Sequence, residues 1–291
     1  MRSVLAQAGA TTCQSLKEHE RHVTVNVSRE ERKTDVEYQI IKGEKVPSLG
    51  FGTWRLSRQE CVKAVERALT LGYRHVDTAQ IYANENEVGR AIRNSGVDRE
   101  GIFLVTKVWT SSFSYADVIR STHESLRKLQ TEYVDLLLMH WPNPSVPLEE
   151  TLGAMSELQE EGSVKHVGVS NFPSYMVEEA TRHATVFCNQ VEYHPYRAQD
   201  ELLRQAREMD YLLTAYSPVA KGRVSNDATL KEIGEAYSKT PVQVALRWLI
   251  QQEKVVAIPK AASEDHLRSN FDIFDFELSD EEMERIFALR R

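Results

Sequence analysis

Asp77, Tyr82, Lys107 and His140 are the residues of this chain whose types and spacing could do chemistry together. Asp77 falls near the end of the apolar run RHVDTA (74–79), and Tyr82 follows five residues later. Lys107 and His140 fall near the ends of IFLVTKVW (102–109) and VDLLLMHW (134–141). A charged residue in an apolar strand is costly unless it is paired, and Asp77 and Lys107 on neighbouring runs can pair with each other. A free phenol titrates at about 10, too high for easy proton exchange near neutrality. A nearby ammonium stabilises phenolate and lowers that pKa, so Lys107 held by Asp77 is expected to acidify Tyr82. His140 can hydrogen-bond a substrate oxygen or share the proton. Together the four make a general acid for an oxygen that gains negative charge. A structural ion pair beside an unrelated Tyr and His is the plainer alternative.

Such a constellation needs elements that bring the four to one place. Eight short apolar runs alternate with helical patterns: residues 49–54, 74–79, 102–109, 134–141, 164–171, 186–193, 211–218 and 255–260. Continuous apolar runs mark strands buried on both faces, as in a parallel sheet, and strand–helix alternation implies right-handed crossovers. Eight repeats predict an α/β fold, a closed (β/α)8 TIM barrel, with an open doubly wound sheet as the structural alternative. YQIIKGEKVP predicts an N-terminal hairpin turning at Lys42–Gly43 and capping the barrel floor. Two helical patterns separate the seventh and eighth runs, so one is accessory. SDEEMERIFALRR predicts a last helix capped by Ser279. The domain assignment is a flexible N-terminal extension over 1–34 and a single barrel domain over 35–291.

Barrel enzymes carry their chemistry at the C-terminal strand ends. Those ends supply Trp54, Asp77, Lys107, Trp109, His140, Trp141, Ser170, Asn171, Gln190, Tyr216, Ser217 and Lys260.

Composition excludes several classes. The net charge is −7 with both signs interspersed, which argues against a nucleic-acid groove. No stretch approaches ~20 consecutive apolar residues, so no membrane helix is expected. The three cysteines, Cys13, Cys61 and Cys188, are odd in number and widely spaced. They predict a reducing, cytoplasmic setting and neither a disulfide framework nor a zinc site; no metal is expected.

The motifs GFGTW, DTAQIYANENEVG, TKVW, MHWP, GVSNF, NQVEYHP and IPKA resemble those of the aldo-keto reductases, in that family's order and spacing over about residues 36–290. The wording around TAQIYANE is most similar to the 2,5-diketo-D-gluconate reductase and prostaglandin F synthase-like branch. The resemblance implies a barrel that binds NADPH without a Rossmann domain, in keeping with the lack of a GxGxxG after any strand. It implies a tetrad of Asp77, Tyr82, Lys107 and His140, with Tyr82 the proton donor to a carbonyl reduced by hydride.

Ser170, Asn171 and Gln190 match the positions that hold the nicotinamide carboxamide, and Tyr216, beside Ser217, matches the residue that stacks on the ring. Trp54, Trp109 and Trp141 would wall the substrate pocket. Lys260 matches the 2′-phosphate position, with Ser263 and Arg268 nearby, and Asn270 matches an adenine-side asparagine. The family usually has Ser or Thr after that lysine and Arg six residues beyond it; here Ala261 and His266 stand there, and Ser269 replaces an acid. A two-residue shift along a helix turns a side chain by ~200°, which takes Arg268 off the expected direction. NADPH is the expected cofactor and NADH the alternative. The family also continues into a loop over the pocket, whereas this sequence stops at Arg291, so a pocket open on that side is expected. The expected protein is a monomeric reductase of small carbonyls such as 2,5-diketo-D-gluconate or methylglyoxal. A cofactor-sensing regulatory barrel with little turnover is the rival.

Overall fold

The computed structural model describes residues 36–290. The predicted extension over 1–34, with Cys13, lies outside the described residues.

The first described elements are the predicted hairpin, β1 (Tyr38–Ile41) and β2 (Glu44–Pro47), paired antiparallel. Its turn uses Lys42 and Gly43, both at positive φ, the two-residue geometry whose twist suits a hairpin. Eight parallel strands follow: β3 (Phe51–Gly52), β4 (His75–Asp77), β5 (Phe103–Val108), β6 (Val134–Met139), β7 (Val164–Ser170), β8 (Val186–Glu192), β9 (Leu212–Tyr216) and β10 (Val255–Ala257). Each pairs with its chain neighbour, in the order β3 to β10. The two ends meet through a parallel bridge between Leu49 and Ala257. Backbone hydrogen bonds reinforce it, from Gly50 N to Ala257 O at 2.8 Å and from Gly52 N to Pro259 O at 3.1 Å. Gly52 permits this closure, since a Cβ there would stand 2.9 Å from the Ile258 carbonyl oxygen. The eight predicted strands are all present, and the fold is the (β/α)8 barrel. The ladders are shorter than the apolar runs, so Trp54, Trp109, His140, Trp141, Asn171, Ser217 and Lys260 stand just past strand ends rather than on strands.

Strand alternation decides what fills the ring. Phe103, Val105, Leu136, Leu138, Phe187, Cys188, Leu212 and Val256 form one buried cluster, which Ile41 and Val46 of the hairpin join from below. Leu104, Val108, Leu137 and Met139, of the opposite parity, join the larger core beneath the helices. On β5 and β6 this is the two-residue period of a strand buried on both faces; on β8 the adjacent Phe187 and Cys188 both join the inner cluster, where the β7–β8 register shifts.

The outer helices are α1 (Arg58–Leu71), α2 (Glu85–Asn94), α3 (Tyr115–Leu129), α4 (Leu148–Glu160), α5 (Ser174–Ala180), α6 (Asp200–Met209), α7 (Ala228–Tyr237), α8 (Pro241–Ile250), α9 (Glu264–Phe271) and α10 (Asp280–Phe287). Between β9 and β10, α8 packs on β10 and is buried almost throughout, while α7 packs outside it against α10. The accessory helix of that segment is therefore α7. Thr240 and Gln243 form a capping box at the start of α8, and Ser279 and Glu282 form another at α10, as predicted for Ser279.

Candidate active site

Parity carries the candidate residues to the barrel mouth. On β5 the inward positions Phe103 and Val105 are followed by Lys107. On β6 Leu136 and Leu138 lead to His140, and on β8 Cys188 leads to Gln190. Each strand thus places an apolar side chain low in the ring and a polar one at its top.

Asp77 and Lys107 form the predicted pair. Both are fully buried, and Lys107 Nζ donates to Asp77 Oδ1 at 2.6 Å. Lys107 also donates to the Thr78 carbonyl at 2.8 Å. Gln190 Nε2 donates to the other carboxylate oxygen, Oδ2, at 2.7 Å. Each oxygen of Asp77 therefore has a donor, and one of the three Lys107 protons is left for a further acceptor. Burial alone would pull the ammonium pKa down; the Asp77 carboxylate and the Tyr82 oxygen outweigh it and hold Lys107 above its ordinary value. The lysine is charged.

Tyr82 ends a 3-10 turn, Gln80–Tyr82, that leaves β4. Ala83 follows at φ 54°, redirecting the chain into α2. Lys107 Nζ lies 5.2 Å from the Tyr82 ring centroid. The expectation of a lowered phenol pKa is corrected here. Burial pushes Tyr82 up, and the opposing pull of Lys107 does not overcome it. In the protein alone Tyr82 is a protonated phenol at neutrality, suited to giving a proton, with the ammonium in place to stabilise the phenolate once it forms.

His140 sits between two aromatic rings, edge-on to Tyr82 at 5.7 Å and to Trp109 at 5.2 Å. Burial, with the Lys107 charge beside it, lowers its pKa to about 3. It is a neutral imidazole that can donate one hydrogen bond but holds no imidazolium proton to share. Its Nδ1 is buried without a partner. The sign of the pH dependence follows. Between an ordinary histidine value of about 6.5 and the folded value, the unfolded chain binds a proton that the native one does not. This contribution to stability is complete above the upper value and is lost as pH falls toward the lower. Imidazole nitrogen shifts measured by NMR should show His140 neutral at pH 5; an imidazolium signal already there would refute this environment.

The residues matched to the nicotinamide side are wired into the same network. Tyr216 Oη donates to Asn171 Oδ1 at 2.9 Å. Asn171 Nδ2 donates to Ser170 Oγ at 3.0 Å and to the His140 carbonyl at 3.2 Å. Ser170 Oγ donates to the Gln190 carbonyl at 2.8 Å. Asn171 and Ser217 adopt positive φ, 62° and 50°, where the chain turns off β7 and β9. A primary amide needs both donors and acceptors, and this cluster fits one: Gln190 Oε1 remains an acceptor after its nitrogen binds Asp77, and the orphaned His140 Nδ1 marks an unfilled hydrogen-bonding position.

Three residues show links that their types alone did not announce. Gln190 is a partner of Asp77. Thr78 supplies the second acceptor for Lys107. Asn84, fully buried, accepts from Thr78 Oγ1 at 2.8 Å and donates to the carbonyls of Thr53 and Leu56, both at 2.9 Å. The signal available for Asn84 was an amide two residues after Tyr82, at the start of α2.

The tryptophans differ. Trp109 is half-buried against His140, whereas Trp54 and Trp141 are 43% and 44% exposed. The Arg55 guanidinium covers the Trp54 ring at 4.3 Å. The matches after β10 form a separate group. Lys260 is exposed and has no ion-pair partner among the described residues. The Ser263 hydroxyl caps α9, accepting from His266 N at 3.3 Å. Arg268 is held by Glu264, with Nε and Nη2 at 3.1 and 2.9 Å from one carboxylate oxygen. Asn270 is buried.

The fold and this site define an oxidoreductase acting on carbonyls. Residues 48–291 match the model of the aldo/keto reductase family, and the chain belongs to that family. It is 38% identical to the glyoxal reductase of Bacillus subtilis, over 87% of this chain and 92% of that one. It is 36% identical to the methylglyoxal reductase DkgA of Escherichia coli, over 85% of this chain and 90% of that one. A solved structure provisionally named 2,5-diketo-D-gluconic acid reductase B superposes with a TM-score of 0.87 at 48% identity, covering 89% of this chain and 92% of that one.

Proposed function

We propose that the chain reduces small aldehydes and ketones to alcohols with NADPH, Tyr82 being the proton donor. The observation that carries this reading is the fully buried Lys107–Asp77 pair lying beneath a protonated Tyr82. A bound reduced nicotinamide supplies the hydride to the carbonyl carbon. As the carbonyl oxygen becomes alkoxide it takes the Tyr82 proton, and Lys107 stabilises the phenolate left behind. Asp77 keeps the ammonium charged and in place, and Gln190 keeps Asp77 in place. Neutral His140 donates a hydrogen bond that orients the carbonyl oxygen. Ser170, Asn171 and Gln190 would hold the carboxamide and Tyr216 would pack against the nicotinamide, with Trp54, Trp109 and Trp141 walling the substrate. The names of these relatives support glyoxal, methylglyoxal and 2,5-diketo-D-gluconate as first substrates.

A carbonyl panel run with both cofactors tests the reading. Turnover of methylglyoxal or an aromatic aldehyde supports it; saturable cofactor binding with no turnover across the panel rejects it in favour of a sensor.

Among the described residues Lys260, at the matched 2′-phosphate position, has no carboxylate partner, whereas Glu264 holds Arg268. Lys260→Ala is expected to weaken NADPH binding by about tenfold, the order of one surface charge–phosphate contact, and to leave NADH almost unchanged. Titration of protein fluorescence measures both affinities. Equal losses would place the phosphate elsewhere.

A further inference from the structure

Gln80 opens the 3-10 turn that Tyr82 closes, and its side chain reaches away from the tetrad. Its Oε1 accepts from the backbone N–H of Trp109 at 2.9 Å. Its Nε2 donates to Ser125 Oγ, on α3, at 3.2 Å. Ser125 is buried on α3. The Gln80 amide is thereby fixed at both ends. On the side of α3, Gln80, Trp109, Ser112 and Ser125 border a cavity of about 220 Å³. The Trp109 N–H donates to Gln80 on that side, and the Trp109 carbonyl accepts from Ser112 N at 2.9 Å. Trp109 in turn meets the same His140 ring that Tyr82 meets.

We propose that Gln80 is a specificity-determining positioning residue: it sets the Trp109 wall in register with Tyr82, so that one short turn fixes both the proton donor and the width of the carbonyl pocket. Gln80 touches no reacting atom. Its effect falls on carbonyls large enough to lie against Trp109 and spares those too small to reach it. The assignment rests on the reductase reading for its kinetic consequence and on the hydrogen bonds alone for its structural one.

Gln80→Met keeps the volume and removes both hydrogen bonds. Gln80→Glu keeps an acceptor for the Trp109 N–H and can accept from Ser125. With Gln80→Met, KM for an aromatic aldehyde should rise about five- to tenfold while kcat stays within about twofold, the pattern of lost uniform binding. KM for methylglyoxal should hold, and Gln80→Glu should restore the aromatic value. A parallel fall in kcat for both carbonyls, or no change for either, overturns the proposal.

A second readout needs no turnover. In protein labelled with 5-fluorotryptophan, the fluorine line of Trp109, assigned with Trp109→Phe, should shift and broaden in Gln80→Met and return in Gln80→Glu. The line of core Trp248 should stay fixed. An unmoved Trp109 line refutes the positioning role whatever the activity, whereas a wild-type protein that turns over no carbonyl refutes only the reductase reading. If Gln80→Met does not fold, Ser125→Ala, which frees the far end of the amide, is held to the same fluorine criterion.

Discussion

Tyr82→Phe should lower the rate of carbonyl reduction by about 10²- to 10⁴-fold, the usual worth of a positioned general acid, while cofactor affinity stays close to that of the unaltered protein. The ring is expected to remain where it is. Its contacts are edge-on to His140 and over Lys107, and neither uses the hydroxyl. The lost group is the proton donor, and the residues beside it offer no equivalent: His140 is neutral, and Lys107 is bound to Asp77 and Thr78. The pH profile of the unaltered enzyme gives a second check. Burial holds the phenol above its ordinary value, so reduction should lose rate only on the alkaline side of the ordinary phenol range, and Tyr82→Phe should lack that limb. Near-normal reduction by the variant would remove Tyr82 from the mechanism.

The strands of this barrel were legible because each is a short apolar run punctuated by turn residues, and the helices because their apolar faces repeat at helical spacing. The Asp77–Lys107 pair was legible for an energetic reason: a charge in an apolar strand demands a partner, and only a neighbouring strand could supply one. What the chain did not disclose is the balance of competing terms. Residue type announces that an ammonium acidifies a phenol, but it does not say how deeply the phenol is buried, and burial reversed the net direction at Tyr82. The same burial removed proton sharing from the choices open to His140. Amides were the other blind spot. Asn84 and Gln80 each bind two groups from distant segments and Gln190 binds one, and an amide carries no periodicity or charge from which such partners can be inferred. The inward parity of Asp77, Lys107, Gln190 and Tyr216 was available in the strand alternation and needed only the register to become visible.

Lys107→Met should damage the protein twice, and the two effects can be separated. Removing the ammonium leaves the Asp77 carboxylate buried with Gln190 as its remaining side-chain donor. Breaking a buried pair by deleting one partner typically costs about 3–5 kcal/mol, because the other charge stays uncompensated. The single variant should therefore melt well below the unaltered protein. Adding Asp77→Asn removes the stranded charge and keeps a carbonyl oxygen for Gln190 Nε2, so the double variant should recover much of that stability. Activity should not recover with it. The phenolate formed by proton donation has lost its cation, and removal of one preorganised electrostatic stabiliser costs about 10²- to 10³-fold in kcat. Thermal melts and single-turnover reduction, measured on the single and double variants, read the two consequences independently. A double variant that is both stable and active would show that the buried pair serves the fold alone, and would leave Tyr82 to act without it.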